Sequence, residues 1–244
     1  MIGHCTVLIE AGGRRILTDP YFGLHGNPAY ERAHPPAMSR EDLQDVDLVL
    51  ISHNHFDHTD RRYLRSLSVN APVLAPARTA WRTRLMGGRN VAGVSPWERK
   101  TFGPVSVIAV PARHVTFTVG YVIEAEGLRI YFAGDTYFRS FMERIGRELK
   151  PDVALLPVTT YRIPMTMGED GALRAVQVLA PATVIPIHLG IRPRLPLMRT
   201  GQTPEHFRER VQRAGLATKV VILREGESFR NADSAALGLC IPGF

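Results

Sequence analysis

From Ser52 to Asp60 the chain reads Ser-His53-Asn-His55-Phe-Asp57-His58-Thr-Asp, three imidazoles and a carboxylate within six residues. Imidazole and carboxylate are the ligands that borderline divalent ions such as Zn²⁺ prefer, and a catalytic ion keeps one position open for water. In an extended chain side chains alternate, so His53 and His55 point to one side. Asp57 and His58 follow in the turn and can aim at a neighbouring point. One chain end can therefore serve two metals.

The segment preceding this cluster, Val46-Asp-Leu-Val-Leu-Ile51, is the compact apolar run of a strand buried on both faces, so the histidines stand at a strand's C-terminal end. Upstream, residues 4–10 and 14–18 read as two strands of a hairpin around Gly12-Gly13. Residues 19–39 carry Gly and Pro without apolar periodicity and predict a long loop, a flap or rim beside the site. Further strands are expected at 73–75, 105–110, 118–124, 129–133, 153–156, 184–187 and 220–223. Helices are expected at 60–67, 79–86, 138–149, 169–179 and 204–214, the last capped by Thr203 with Pro204 in its first turn. Hairpins early and βα units late predict an α/β fold of four layers, αββα: two mixed β-sheets packed face to face with helices outside. No linker or low-complexity tract divides the chain, and one domain over 1–244 is expected. From residue 225 onward a last strand edge and a frayed end are expected.

With 45% hydrophobic and 22% charged residues, the composition is that of an ordinary globular protein, and no apolar run approaches the ~20 residues of a membrane-spanning helix. The opening residues show no secretory signal, which makes a cytoplasmic location the expectation. Cys5 and Cys240 lie far apart with no second cysteine at metal-binding spacing, so both read as free thiols. The formal charge of +7 is spread along the chain as arginine rather than gathered in a block. That disfavours a nucleic-acid-binding tail and is compatible with an anionic small-molecule substrate.

The His-x-His-x-Asp-His cluster resembles the signature of the metallo-β-lactamase superfamily. Later segments fit the same pattern: Pro111-Ala-Arg-His114, Tyr131-Phe-Ala-Gly-Asp135-Thr and Ile185-Pro-Ile-His188-Leu-Gly each end an apolar strand with a ligand-type residue. The resemblance implies His53, His55 and His114 on one metal, Asp57, His58 and His188 on the other, and Asp135 bridging both. The opening Gly3-His4-Cys5-Thr6 and Leu17-Thr18-Asp19-Pro20 are similar to the branch containing N-acyl-phosphatidylethanolamine phospholipase D and ascorbate-6-phosphate lactonase. There, His4 would touch substrate and Asp19 would hydrogen-bond a ligand histidine. Gly168 departs from that branch, which often has proline there, and the chain begins almost on the signature.

What the resemblance implies is a hydrolase whose two divalent ions, Zn²⁺ first and Mn²⁺ or Fe²⁺ as alternatives, make a hydroxide at neutral pH, with Asp57 orienting it. Its substrate would be a small anionic ester, a phosphodiester or a lactone. Arg192, Arg194 and Arg199, just past His188, are placed to bind phosphate or carboxylate, and Tyr161 with Arg162, Tyr21, Phe22 and Tyr137 could line the pocket. The rivals are a metallonuclease acting on RNA or DNA, a diiron redox protein of the same fold and a catalytically silent binding protein. Salt-dependent oligonucleotide binding and the visible spectrum separate the first two from a hydrolase.

Overall fold

The computed structural model describes residues 1–23 and 27–231, so Cys240 lies outside the described residues. In chain order the strands are β1 (Val7–Ala11), β2 (Arg14–Thr18), β3 (Tyr30–Arg32), β4 (Leu48–Leu50), β5 (Val73–Pro76), β6 (Val91–Val94), β7 (Arg99–Phe102), β8 (Val105–Pro111), β9 (Val119–Ala125), β10 (Leu128–Phe132), β11 (Val153–Pro157), β12 (Thr183–Ile187), β13 (Ile191–Pro193) and β14 (Lys219–Val220). The helices are α1 (Arg61–Ser66), α2 (Ala80–Leu85), α3 (Phe141–Leu149), α4 (Gly168–Leu179) and α5 (Pro204–Arg213).

These strands form two mixed sheets, ordered β1-β2-β4-β5-β6 and β14-β12-β11-β10-β9-β8-β7, and a small β3-β13 ribbon. Strict alternation fixes how the sheets stack. Leu48 and Leu50 of β4 join Val105, Val107 and Leu155 in the core between the sheets. Val49 and Ile51 face outward onto Tyr63 and Leu64 of α1. On the second sheet, Ile108, Val122 and Leu156 face outward onto Met142, Val176 and Phe207 of α3, α4 and α5. The result is the expected four-layer αββα sandwich.

Strand direction decides where functional residues gather. Strands β2, β4, β5 and β6 run parallel, and β1 is antiparallel to β2. The start of β1 therefore lies beside the ends of β2 and β4. In the second sheet β8 and β10 both run antiparallel to β9, and β10, β11 and β12 run parallel. All of β8, β10, β11 and β12 thus end at the same edge.

Several expectations are corrected. The segment 19–39 is not wholly loop, because Tyr30–Arg32 pairs with Ile191–Pro193, a partner 160 residues away that local periodicity does not reveal. The strands β6 and β7 lay outside the expected set; β7 alternates exposed and half-buried residues and is held by its pairing with β8. The last strand is only Lys219–Val220, and α3 starts at Phe141 rather than residue 138. Among the described residues no helix is long and apolar enough to cross a membrane.

Candidate metal centre

The chain leaves β4 through buried Ile51 and Ser52 and folds back on itself, the N–H groups of His58 and Thr59 both donating to the His55 carbonyl at 3.1 Å. This turn brings His53, His55, Asp57 and His58 to one edge of the sandwich. His114 follows the end of β8, Asp135 the end of β10 and His188 the end of β12.

The nitrogen atoms of His53, His55 and His114 lie within 4.8 Å of one another, and so do the ligand atoms of Asp57, His58, His188 and His4. Between the two groups sits Asp135, whose Oδ2 is 3.3 Å from His58 Nε2, 3.4 Å from His188 Nε2 and 3.8 Å from His114 Nε2. All seven residues of the signature set converge.

The orientation of two histidines is enforced from beneath by Asp19. Its Oδ1 accepts from the Ser52 N–H and its Oδ2 from the Ser52 hydroxyl, both at 2.6 Å, while Oδ2 also accepts from His58 Nδ1 at 2.7 Å. With its proton directed to Asp19, the Ser52 hydroxyl is left to accept from His53 Nδ1 at 2.9 Å. One buried carboxylate thereby directs the Nδ1–H of two histidines away from the centre and leaves each Nε2 lone pair facing it.

The donor set fits divalent cations. His53 Nε2, His58 Nε2, His4 Nε2 and Asp135 Oδ1 are buried with no hydrogen-bond partner among the described residues, a combination that costs free energy unless something occupies the space between them. Among the described residues, the ion-pair partners of Asp19, Asp57 and Asp135 are all histidines. Burial lowers the basicity of His53 and, to about 4, of His114. Burial works the same way on His58, but Asp135, Asp57 and Asp19 outweigh it and hold that imidazole well above the usual range. It carries a proton that a cation would displace. Against the raising effect of burial, His58 and His4 hold the Asp57 carboxyl well below the usual carboxylate range.

His4 occupies a left-handed backbone conformation, φ 59°, at the turn into β1. Its Nδ1 donates to the Leu189 carbonyl at 3.1 Å and its Nε2 stands 3.4 Å from Asp57 Oδ2. Burial and His188 hold it down to about 4. Its side chain has no exposed surface and its ligand atom stands within the cluster of Asp57, His58 and His188.

Of the residues considered for substrate, Tyr161 comes nearest, its ring 5.9 Å from that of His188 and 5.4 Å from that of Tyr30. Tyr137 lies 6.2 Å from His114. Arg192 Nε donates to Glu31 at 2.8 Å, Arg199 reaches the same carboxylate, and Arg194 Nε donates to the Tyr30 carbonyl. Phe22 is buried against Tyr63 in the outer core, away from the centre. Reading the sequence missed Ser52, although it directly precedes His53, and missed the aromatic wall of Tyr30 and Phe56, rings 5.5 Å apart, because Tyr30 arrives through the long-range ribbon. A groove of about 390 Å³, lined by Thr159, Tyr161, His188, Arg192, Arg199 and Gln202, opens onto the cluster. A larger cleft of about 470 Å³ lies around Arg14, Asp47 and Asn70, by the start of β4, and touches none of the seven.

Residues 14–189 match the beta-lactamase superfamily domain. A UPF0173 metal-dependent hydrolase of Methanopyrus kandleri is 32% identical over 240 residues, spanning 93% of this chain and 97% of that protein. Among solved structures, the metallo hydrolase Igni18 of Ignicoccus hospitalis superposes with a TM-score of 0.74 at 28% identity, covering 93% of this chain and 94% of that one. The isothiocyanate hydrolase from Delia radicum gut bacteria superposes with a TM-score of 0.77 at 20% identity over 94% and 97% of the two chains, a likeness of fold alone.

Proposed function

The chain belongs to the metallo-β-lactamase superfamily and, within it, to the metal-dependent hydrolases, and from that premise we propose that it uses two divalent cations to hydrolyse a small anionic ester, a phosphodiester or a lactone. His53, His55 and His114 would hold one cation, Asp57, His58 and His188 the other, and Asp135 both. Zn²⁺ suits these donors, with Mn²⁺ or Fe²⁺ as the alternatives. The observation that carries the reading is Asp135, buried between the two histidine groups with Oδ2 toward three imidazoles and Oδ1 unpartnered.

Cations bound there supply a Lewis acid and bring the ionisation of water toward neutral pH. The chain's own part is orientation. Asp57, anionic and buried, is placed to accept a hydrogen bond from the attacking water and so hold the water's lone pair toward the substrate. Asp19 and Ser52 keep His58 and His53 in the tautomer that faces the centre. Tyr161, its hydroxyl kept protonated by burial and by Asp57 and Asp135, donates to the Ile191 carbonyl at 3.4 Å and sets its ring beside His188 as a wall of the site. The net charge of +7 supports an anionic substrate.

The test is hydrolysis of lactones, phosphodiesters, thioesters and β-lactams by protein reconstituted separately with zinc and with manganese. Activity on a lactone or phosphodiester is expected, and Asp57→Asn should lower it about 10²- to 10⁴-fold with metal content retained. Full activity in Asp57→Asn, or turnover of oligonucleotides alone, overturns the reading.

A further inference from the structure

Eight large apolar side chains stand exposed among the described residues, and five of them, Val115, Phe117, Ile163, Leu195 and Leu197, sit on the segments after β8, β11 and β13. Backbone hydrogen bonds and one from a tyrosine hydroxyl tie these loops into one rim. The Tyr137 N–H donates to the Arg113 carbonyl at 2.8 Å and the Tyr137 hydroxyl to the Pro164 carbonyl at 3.0 Å. The Arg162 N–H donates to the Met198 carbonyl and the Arg194 N–H to the Ala29 carbonyl, both at 2.9 Å. Beyond the first loop, the Arg78 guanidinium stacks on Phe117, 4.9 Å from the ring centroid.

The charge of this rim has one sign. The loops 112–118, 158–167 and 188–200 contain no aspartate or glutamate. The nearby Glu31 is already bound to Arg192 and Arg199. Arg78, Arg113 and Arg162 have no carboxylate within ion-pair distance among the described residues, and Arg113 and Arg162 are exposed beside Val115 and Ile163.

We propose that this mouth docks onto an anionic lipid bilayer, placing the metal centre against the membrane surface. Exposed Val, Phe, Ile and Leu side chains on loop tips enter the boundary between headgroups and acyl chains, while arginines beside them pair with lipid phosphates. The attachment is peripheral, since none of the described helices is long and apolar enough to cross. A second copy of the chain is a poorer occupant: a two-fold contact would set the arginine-rich rim against itself. A nucleic acid would leave the aliphatic side chains without a partner.

The test is flotation of the full chain with vesicles of phosphatidylglycerol and phosphatidylcholine, and with vesicles of phosphatidylcholine alone. The expected result is association with the anionic vesicles only, weakened by added salt and lowered roughly tenfold or more by Phe117→Asp and by Leu197→Asp. Arg113→Gln with Arg162→Gln should also weaken it. Val69→Asp, at an exposed apolar position between α1 and β5, should leave it unchanged. Unchanged circular dichroism and metal content in each variant show that the fold stands. No association with anionic vesicles, an equal effect of Val69→Asp, preferential binding of an oligonucleotide, or a dimer that Leu197→Asp dissociates each overturns the docking surface. Hydrolysis of soluble esters is read separately. In the unsubstituted chain, flotation without ester hydrolysis overturns the hydrolytic reading alone, and ester hydrolysis without flotation overturns docking alone.

Discussion

Asp19 accepts three hydrogen bonds at the floor of the cluster, two from Ser52 and one from His58. It does so with a positive φ of 34°, a conformation that Asp and Asn tolerate better than other side chains. Asp19→Asn therefore keeps the backbone but sets an amide N–H against donors that need an acceptor. His58 would then move its proton to Nε2, and His53 would lose the relay through Ser52. Metal affinity is expected to fall about 10- to 100-fold, measured by competition against a chromophoric chelator, with the circular dichroism spectrum unchanged. Wild-type affinity in this variant would show that Asp19 does not set the tautomers. The sequence exposed Asp19 only through its resemblance to a known branch; the threefold acceptance depends on β2 and β4 ending side by side.

At the scale of elements, α1 is short and relies on its cap. Asp60 Oδ1 accepts from the N–H groups of Arg62 and Tyr63 while its Oδ2 accepts from Arg40 at 2.7 Å. Burial alone would raise this carboxyl, but Arg40 and the capped N–H groups hold it below the ordinary range. Its contribution is therefore complete above the unfolded carboxylate value of about 4 and is lost as pH falls through the lower folded value. Asn caps a helix as well as Asp, so Asp60→Asn keeps the cap and removes what Oδ2 accepts, the Arg40 bond and the Phe22 N–H at 3.3 Å. A loss of about 1–2 kcal/mol is expected at neutral pH, shrinking in acid, by thermal denaturation across pH. The crossing of α3 and α4 turns on Gly146. A Cβ there would overlap the Val178 carbonyl oxygen, which is backbone and does not yield. Gly146→Ala should lower the melting temperature, although alanine is the better helix former by about 1 kcal/mol. A rise in melting temperature would contradict that close approach. No periodicity in the sequence marks Gly146, because its constraint comes from a neighbouring helix.

For the whole molecule, the centre sits where two sheets and their loops meet, so cations bound there join elements far apart in the chain. His55 and His188 follow strands of different sheets, and Asp135 stands between their two groups. A ligand that binds only the folded state adds about 4 kcal/mol of stability when present at 1,000 times its dissociation constant. Stripping metal with a chelator should therefore lower the melting temperature by roughly 10 °C in calorimetry, and adding back Zn²⁺ should restore it. An unchanged melting temperature in demonstrably metal-free protein would show that the buried orphan atoms find other partners.

By itself the sequence determined which residues are candidate ligands, because a dense spaced cluster and strand-terminal His114, Asp135 and His188 are local features. It also determined the layers, since Leu48-Val49-Leu50 and its counterparts alternate between two apolar surfaces as a strand buried on both faces must. Tertiary structure alone decided what surrounds the centre. Tyr30 reaches the mouth through a ribbon whose strands are some 160 residues apart, Arg192 is drawn onto Glu31 by the same pairing, and the apolar loop tips become one rim only when four strands end at one edge. The physical reason is that ligand identity is written in side-chain chemistry and spacing, whereas neighbourhood across the chain is written in strand direction and pairing, which no local pattern contains.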